Sequence, residues 1–588
     1  MPPNQQNAPR RAFIESAAVF LGCFLLYISN WRFQTSGDTV PNSLLAFNLI
    51  QNHRLDFDNF RDCYLYHVSL GYGFIPAKSA HTSSVFPVGT AVLTFPLYAC
   101  FFVILKLAHV PLNLTSAAFE STRLLCEKAA AAITAAATVT IFHSTVRLKF
   151  PRMTALLSTA IFAFCTGMWT TASQALWQHT AVTFLLTTLL ASLLRANGPT
   201  RPHRATLILA GLCCGLLPGV RPTAAVFSLA ALAYVLVTFR RQCVWTFAAA
   251  AVAAVPCTVW NLYFFHNPLG GYATTAHMYA FSHAFLTAVS GLLLSPSRGL
   301  LIYTPALLAC VFAIPHILRP RDNDARLLRY LVAASIITIL NYGFYRMWWA
   351  GSSYGPRYLT DILPVACFLL TYALAPTKPH PLFSAVMTVF IAFSLFAQFV
   401  GAYSEPNEWN AIPVNVDVQP SRLWSLRDCQ IERHAKWFYR RAAGPHLKSD
   451  YLRSLAGYAD NLRLSTPTGD RPLPDAATIP PGPAILKATL HNTGQAPWYP
   501  YQSAMERGRI AVRVELRGTD DKPFTIGWLY LAEPVPPGGQ GEAVGNVTFP
   551  TQPGACRASF YPLALQLGGF PTSADTTAPL RLGWTVAP

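Results

Sequence analysis

What this sequence has least of is charge, and negative charge above all. Only 12% of its 588 residues are charged, about half the share of an ordinary soluble protein. Residues 1–404 hold ten Asp and Glu against 26 Lys and Arg, while residues 405–588 hold 16 against 18. The net charge of +18 therefore resolves into +16 on the first part and +2 on the tail. That scarcity excludes a soluble enzyme for the first part and sets the tail apart as a water-soluble piece. Metal-binding spacings are missing too: the sequence has no CxxC pair and no His-x-x-x-His, so no resident metal is expected. The 13 cysteines do not form a disulfide framework. Most lie within apolar runs, as Cys213 and Cys214 do, where a thiol packs as a small hydrophobe. Cys63, Cys429 and Cys556 stand outside those runs, which leaves room for one bridge without fixing its pairing. The excess of positive charge points to no nucleic-acid partner, because the basic residues sit in short loops between apolar runs, as the positive-inside rule arranges them.

What the sequence has in plenty is apolar runs of the roughly 20 residues that cross a bilayer. They lie near 13–30, 86–107, 121–146, 153–169, 173–194, 205–219, 222–239, 243–265, 299–318, 327–348, 358–375 and 381–403. The first ends in bulky ISNWRF and is followed by others, so it reads as a span and not as a cleaved signal peptide. Arg10 and Arg11 place the start of the chain inside. The basic stretches Arg195–Arg204, Arg240–Arg241, Arg319–Arg329 and the one around Lys378 also belong inside, which puts everything after 403 outside. Twelve spans cannot join an inner start to an outer end. The conflict lies between 86 and 153, where one run is re-entrant or is no span. The expectation is a polytopic α-helical membrane protein of 11–13 spans over residues 1–404, with an external loop at 31–85. The tail is expected on the extracytoplasmic side.

In that tail, residues 405–480 mix Trp, Arg and Pro and read as a connector, with an amphipathic helix at 425–443 suited to a membrane surface. TPTGDRPLPDAATIPPGP reads as a linker. Over residues 481–588, short alternating stretches such as AILKATLHN, RIAVRVELRG and FTIGWLYL are separated by NTG, GTDD and PPGG. That is the pattern of an all-β sandwich, with Trp498, Trp528 and Trp584 as core aromatics or sugar-stacking platforms.

Ten acids are few enough to take singly. Glu15, Glu120, Glu127, Asp322 and Asp324 fall at or near inner ends of runs, and Asp361 one turn into a run. Asp38, Asp56, Asp58 and Asp62 all lie in the first external loop. Asp38 follows the first run directly and precedes a short amphipathic helix, PNSLLAFNLIQN. It serves either as that helix's N-cap or as an acid projecting into a cavity at the water–lipid boundary. Opposite it in sign, Lys78, Arg221, Arg298, Arg346 and Arg357 stand at outer span boundaries. A single one is an ordinary snorkelling anchor, but five on the outer face run against the positive-inside bias, and charges so placed tend to be functional. A phosphate would supply the missing counter-charge, and Arg suits it through its bidentate fork.

Seven segments then occur in a telling order: GDT after the first run, AKSAHTSSVFPVGTAVLTFPLY, LWQHT, GLLPGVRPT, NPLGGY, SPSRGLLIYTP and WWAGSSYGPRYLTDILP. Over residues 12–404 they resemble bacterial membrane glycosyltransferases of the GT-C superfamily, relatives of the aminoarabinose transferases and protein O-mannosyltransferases. The resemblance implies transfer of a sugar from a polyprenyl-phosphate donor to an extracytoplasmic glycan, lipid or protein acceptor, with Asp38 as general base. It implies that Lys78 binds the donor phosphate, with Arg357 as a second contact; by their positions Arg298 and Arg221 would join them. His81 and His179 are candidates to line the sugar or acceptor site, as are Trp348, Trp349, Tyr354 and Tyr358, which could equally form an interfacial aromatic belt. The chain departs from the pattern in having Thr39 where a second acid often follows the first. A monophosphate donor requires no cofactor; a diphosphate donor would favour a divalent cation. The rival readings are a lipid-linked oligosaccharide polymerase or ligase, a flippase or transporter for lipid-linked sugars, and a non-catalytic membrane subunit. A transporter often shows matched repeats between its halves, and none is visible.

Overall fold

A chain surrounded by lipid must satisfy its backbone hydrogen bonds within each segment, and a helix does so. The computed structural model describes all residues except 1–7, 35, 62, 64–72, 199–202, 280–283, 319–321, 377–378, 405–406, 446, 448, 506, 519–522, 572–579 and 588; Asp62 and Lys378 thus lie outside the described residues. The chain divides into two units, residues 1–350 with 354–403, and residues 351–353 with 404–588.

The first unit is helical. Its main helices are α1 (Ala8–Ile28), α2 (Val40–Asn52), α3 (Gly89–Leu107), α4 (Ala117–Val146), α5 (Arg152–Phe164), α6 (Gln178–Ala196), α7 (Arg204–Val220), α8 (Ala225–Phe239), α9 (Cys243–Phe265), α10 (Phe285–Leu294), α11 (Asn323–Gly343), α12 (Leu363–Leu374) and α13 (Pro381–Tyr403). Eight helical stretches among the described residues are long and apolar enough to cross a membrane; one of them, Pro222–Phe265, joins α8 and α9 through a short turn. Shorter apolar helices cover the runs near 153–169, 205–219 and 299–318.

Two placements bear on the topology expected from the sequence. Helix α3, the apolar run at 86–107, packs along the first external loop. Tyr98 stands edge-on to Phe47 of α2 at 5.1 Å, and the cluster that holds Tyr98 also takes in Phe57, Phe60 and Phe74 of the loop and Trp260 to Phe265 at the end of α9. Glu120 and Glu127, expected at an inner end, stand beside that same loop. Both pair with the buried Arg123, at 2.7 and 2.5 Å, and Arg123 also donates to Ser43 of α2 at 2.7 Å.

Helices α7 and α9 pack closely because α7 offers a stripe of small residues. A Cβ on Gly211 would come within 2.2 Å of the Thr246 carbonyl oxygen, and one on Gly215 within 2.2 Å of the Ala250 oxygen. The end of α7 is thereby held by backbone-to-backbone contact. Arg221 is the next residue.

The second unit is all-β apart from helix α14 (Gln430–Ala443) and short helical turns. Its strands are β3 (Gly457–Thr466), β4 (Gly469–Pro472), β5 (Thr478–Ile479), β6 (Gly482–Asn492), β7 (Ile510–Arg517), β8 (Pro523–Leu531), β9 (Gln540–Phe549), β10 (Gly554–Ala564), β11 (Gly568–Gly569) and β12 (Leu580–Val586); β1 (Phe74–Pro76) and β2 (Thr82–Ser84) form a hairpin in the first unit. They make one continuous sheet in the order β4-β3-β6-β9-β8-β7-β10-β12-β5, with β11 on β10, and not two separate sheets. Its strands share one core, in which Trp498 and Trp584 are fully buried, whereas Trp528 is half-buried. The proline-rich stretch read as a linker supplies β4 and β5, short strands at the two ends of the sheet, where missing donors are tolerated. Helix α14 buries a charged face within this unit, not an apolar one. Arg433 pairs with Asp428 at 2.6 Å, and Glu408 lies 2.7 Å from both Arg440 and Arg509. Burial alone would raise the Glu408 carboxyl, but the two guanidiniums hold it below the usual carboxylate range. All thirteen cysteines are free.

Candidate functional site

Asp38 sits in the turn between α1 and α2. Thr39 is the N-cap of α2 and makes no side-chain cap bond; the carboxylate of Asp38 instead accepts from Arg357 Nη1 at 3.0 Å. The turn is fixed from several sides. The Thr39 amide donates to the Ser36 carbonyl at 2.9 Å, and Asn42 Nδ2 donates to the Leu176 carbonyl at 3.1 Å. Gly73, at the start of β1, lies so close that a Cβ there would meet the Gly37 oxygen at 2.5 Å.

Arg357 opens the helical turn before α12. Its Nη2 donates to the Ala350 carbonyl at 2.9 Å, and its guanidinium lies 4.4 Å from the ring of Trp177 and 5.8 Å from that of Tyr358. Arg221 leaves α7 just before Pro222. Its guanidinium rests over Tyr342 and Tyr358, at 5.6 and 5.3 Å, and those two rings stack at 4.5 Å. His179, in the first turn of α6, touches both Asp361 and Arg221. These groups line one cavity of about 290 Å³. Its wall includes Asp38, Trp177, Gln178, His179, Arg221, Tyr272, Tyr342, Tyr345, Arg357 and Tyr358. Such a space has cations to hold an anion, aromatic faces to shed water, and a carboxylate at its wall.

Of the residues picked from the sequence, Asp38, His179, Arg221, Arg357 and Tyr358 share this cavity; Lys78, His81, Arg298, Trp348, Trp349 and Tyr354 do not line it. Lys78 is exposed on the turn between β1 and β2. His81 Nδ1 lies 2.6 Å from Asp58. Arg298 is buried and donates to the carbonyls of Trp349 and Ser297, each at 2.8 Å. Trp348 covers Gly291, where a Cβ would strike its ring at 2.3 Å, and stands edge-on to Trp349. Tyr354 donates to the Ala397 carbonyl at 2.5 Å. Four of these, Arg298, Trp348, Trp349 and Tyr354, brace the segment that leads to Arg357. Arg346 is exposed. Arg357 has Asp38, and Arg221 has Asp361 at 3.7 Å, so neutrality alone calls for no phosphate.

Sequence reasoning passed over Asp361, Gln178, Trp177 and the four tyrosines Tyr272, Tyr342, Tyr345 and Tyr279. A signal existed for the first three. Asp361 lies four residues after Arg357 within YGPRYLTD, and Trp177 and Gln178 belong to LWQHT.

Asp58 anchors the loop. It accepts from the Thr82 amide at 2.7 Å and pairs with Arg54, Arg61 and His81. Burial raises its carboxyl, but the His81 and Thr82 hydrogen bonds outweigh that and hold it below the usual range. Asp56, Asp58 and His81 are, among the described residues, the group close enough to hold a metal ion. Arg54 and Arg61 already meet those carboxylates, which makes the cluster an ion-pair network.

No known family profile and no curated protein matches the sequence. Among solved structures, the chain is similar to ArnT from Cupriavidus metallidurans. The structure bound to undecaprenyl phosphate is 13% identical with a TM-score of 0.41, over 65% of this chain and 62% of that one. The apo structure is 13% identical with a TM-score of 0.42, over 74% of this chain and 70% of that one. The chain thus spans less than two thirds of the length of the lipid-bound ArnT, and a likeness of this degree leaves its function to be argued from the site.

Proposed function

We propose that the chain is an integral-membrane glycosyltransferase that moves a sugar from a polyprenyl-phosphate donor to an extracytoplasmic acceptor, with Asp38 as general base. The observation that carries this reading is the meeting of Asp38 with Arg221 and Arg357 in one aromatic-walled cavity. The order of the motifs that resemble GT-C enzymes supports it.

In this scheme the donor phosphate lies against Arg357 and Arg221, where their N–H groups meet the charge that grows on the leaving oxygen. The acceptor hydroxyl attacks the anomeric carbon opposite the phosphate, and its proton passes to Asp38. The bond from the anomeric carbon to the phosphate oxygen breaks, and its electron pair leaves with the phosphate. The sugar is transferred with inversion. Base assistance of this kind is worth roughly 10²–10⁴-fold. Before the donor arrives, Arg357 holds Asp38; a phosphate competes for the same guanidinium and releases the carboxylate.

The proposed topology follows from α3. Its Tyr98 packs on Phe47, and the cluster around it takes in Phe57, Phe60 and Phe74; α3 is therefore read as lying along that loop, and eleven of the twelve apolar runs remain as spans. That number joins an inner start to an outer tail. Protease added to oriented vesicles should release the tail from the outer side only; release from the inner side would overturn the topology. The enzyme is tested in liposomes with labelled polyprenyl-phosphate sugars and a cell-envelope glycan fraction. Label should move to acceptor with release of polyprenyl phosphate. Movement of intact donor across the bilayer would instead make the chain a flippase.

A further inference from the structure

Asp361 is 1% exposed within the candidate span Arg357–Leu374, and the scheme above gives it no step. An acid so placed is costly unless paired, and its partners indicate its use. Its Oδ1 lies 2.7 Å from His179 Nδ1. Arg221 Nη1 lies 2.5 Å from His179 Nε2 and 2.8 Å from Nδ1. A carboxylate only accepts and a guanidinium only donates. The ring serves both with its proton on Nδ1 and a bare Nε2; the other tautomer would set a lone pair against the carboxylate.

We propose that Asp361 and His179 form a positioning relay that fixes the guanidinium of Arg221 with its second edge left for an oxyanion. That edge is open. Arg221 Nε is buried without a hydrogen-bond partner, and Nη2 makes no hydrogen bond among the described residues. Gln178 Nε2, on the wall of the same cavity, is also buried and unpartnered. Tyr342 and Tyr358 restrict the guanidinium plane, and His179 fixes its rotation within that plane. A forked guanidinium edge with one amide N–H beside it matches the oxygens of a phosphate. Asp361 and His179 exchange no proton in this arrangement. They act through Arg221.

The relay rests on the proposed function only for the identity of the oxyanion, and two measurements on the full chain in lipid nanodiscs keep the claims apart. The first is the nitrogen-15 spectrum of labelled histidines, with the His179 signals assigned by their loss in His179→Gln. A protonated Nδ1 and bare Nε2 are expected; a protonated Nε2 overturns the relay whatever the protein binds. The second is the affinity for a polyprenyl monophosphate, with the uncharged polyprenol of equal length as control. Arg221→Ala and Asp361→Asn should each weaken phosphate binding about tenfold, the scale of one charge-assisted bond, and leave polyprenol binding unchanged. The double variant should lose no more than Arg221→Ala alone, because the relay has no other route to the ligand. Additive losses, wild-type affinity in Asp361→Asn, or a parallel loss of polyprenol binding each overturn the relay. A wild type that binds polyprenol as tightly as the phosphate removes the lipid-phosphate reading, and the tautomer then decides the relay alone.

Discussion

Replacing Asp38 by Asn removes one negative charge and one proton acceptor while keeping the volume of the side chain. The pair with Arg357 is largely buried, the two side chains being 15% and 9% exposed. Full removal of one partner of a buried ion pair costs about 3–5 kcal/mol. Asn keeps an oxygen for Arg357 Nη1, and Arg357 retains the Ala350 carbonyl and the face of Trp177. The loss of stability should therefore stay near that of one charged hydrogen bond, about 1–2 kcal/mol. The chemical step is affected far more. Under the proposed function Asn leaves no base, and turnover should fall at least about a hundredfold, which is about 2.7 kcal/mol of barrier. Binding of the lipid phosphate should hold or tighten, since the carboxylate that competes for Arg357 is gone. The assay is kcat and KM for the donor, with direct binding of polyprenyl phosphate measured in parallel. A fall in kcat without a rise in KM is the expected pattern. Activity within a few-fold of wild type would refute the reasoning, because Asn keeps an oxygen for Arg357 and the residue would then serve only the local fold. Asp56→Asn is the control within the loop: loss there, with Asp38→Asn active, moves the base.

Arg357→Lys keeps the charge but cannot hold Asp38, the Ala350 carbonyl and an oxyanion at once; donor KM should rise severalfold with the melting temperature little changed, and an unchanged KM would remove Arg357 from phosphate binding. Asp58 contributes stability through its lowered carboxyl, present above the ordinary value of 3.8 and lost as pH falls through its depressed value. Melting curves of wild type and Asp58→Asn should thus differ at neutral pH and converge in strong acid; curves that stay apart would show that charge is not the cause. Gly215→Ala places a methyl 2.2 Å from the Ala250 oxygen, so α7 and α9 must separate. A loss of about 1–3 kcal/mol is expected in thermal unfolding, together with impaired phosphate binding at Arg221; a silent variant would show that the helix contact does not position that residue.

Much of this was legible in the sequence, for reasons that differ from part to part. The apolar runs had to be helices, because lipid offers the backbone no partners. Asp38 stood out because acids are so few, and Arg357 because a boundary cation on the wrong side asks for a reason. Lys78 and Arg298 look the same in sequence as Arg357, yet Arg298 is occupied by backbone carbonyls, and only the folded chain decides between a carbonyl and a ligand. The contact of His179 with Asp361 crosses 182 positions, and that with Arg221 crosses 42; no periodicity links such residues. The run at 86–107 has the length of a span, and its packing on Phe47 and Phe74 is invisible in sequence. The stretch that read as a linker supplies the short end strands β4 and β5; Pro472 closes β4, and Pro474, Pro480 and Pro481 fall outside the strands, where they break no ladder.

The pairing of Asp38 with Arg357 has a consequence for the order of events. The carboxylate is engaged by Arg357, so an acceptor or water that brings no anion leaves that pair in place. A ligand that brings its own anion can take the guanidinium away. Under the proposed function the donor is thus both reactant and trigger: it binds before the acceptor, and the kinetics are compulsorily ordered. Polyprenyl phosphate, the product that keeps the anion, then leaves last and competes with the donor alone.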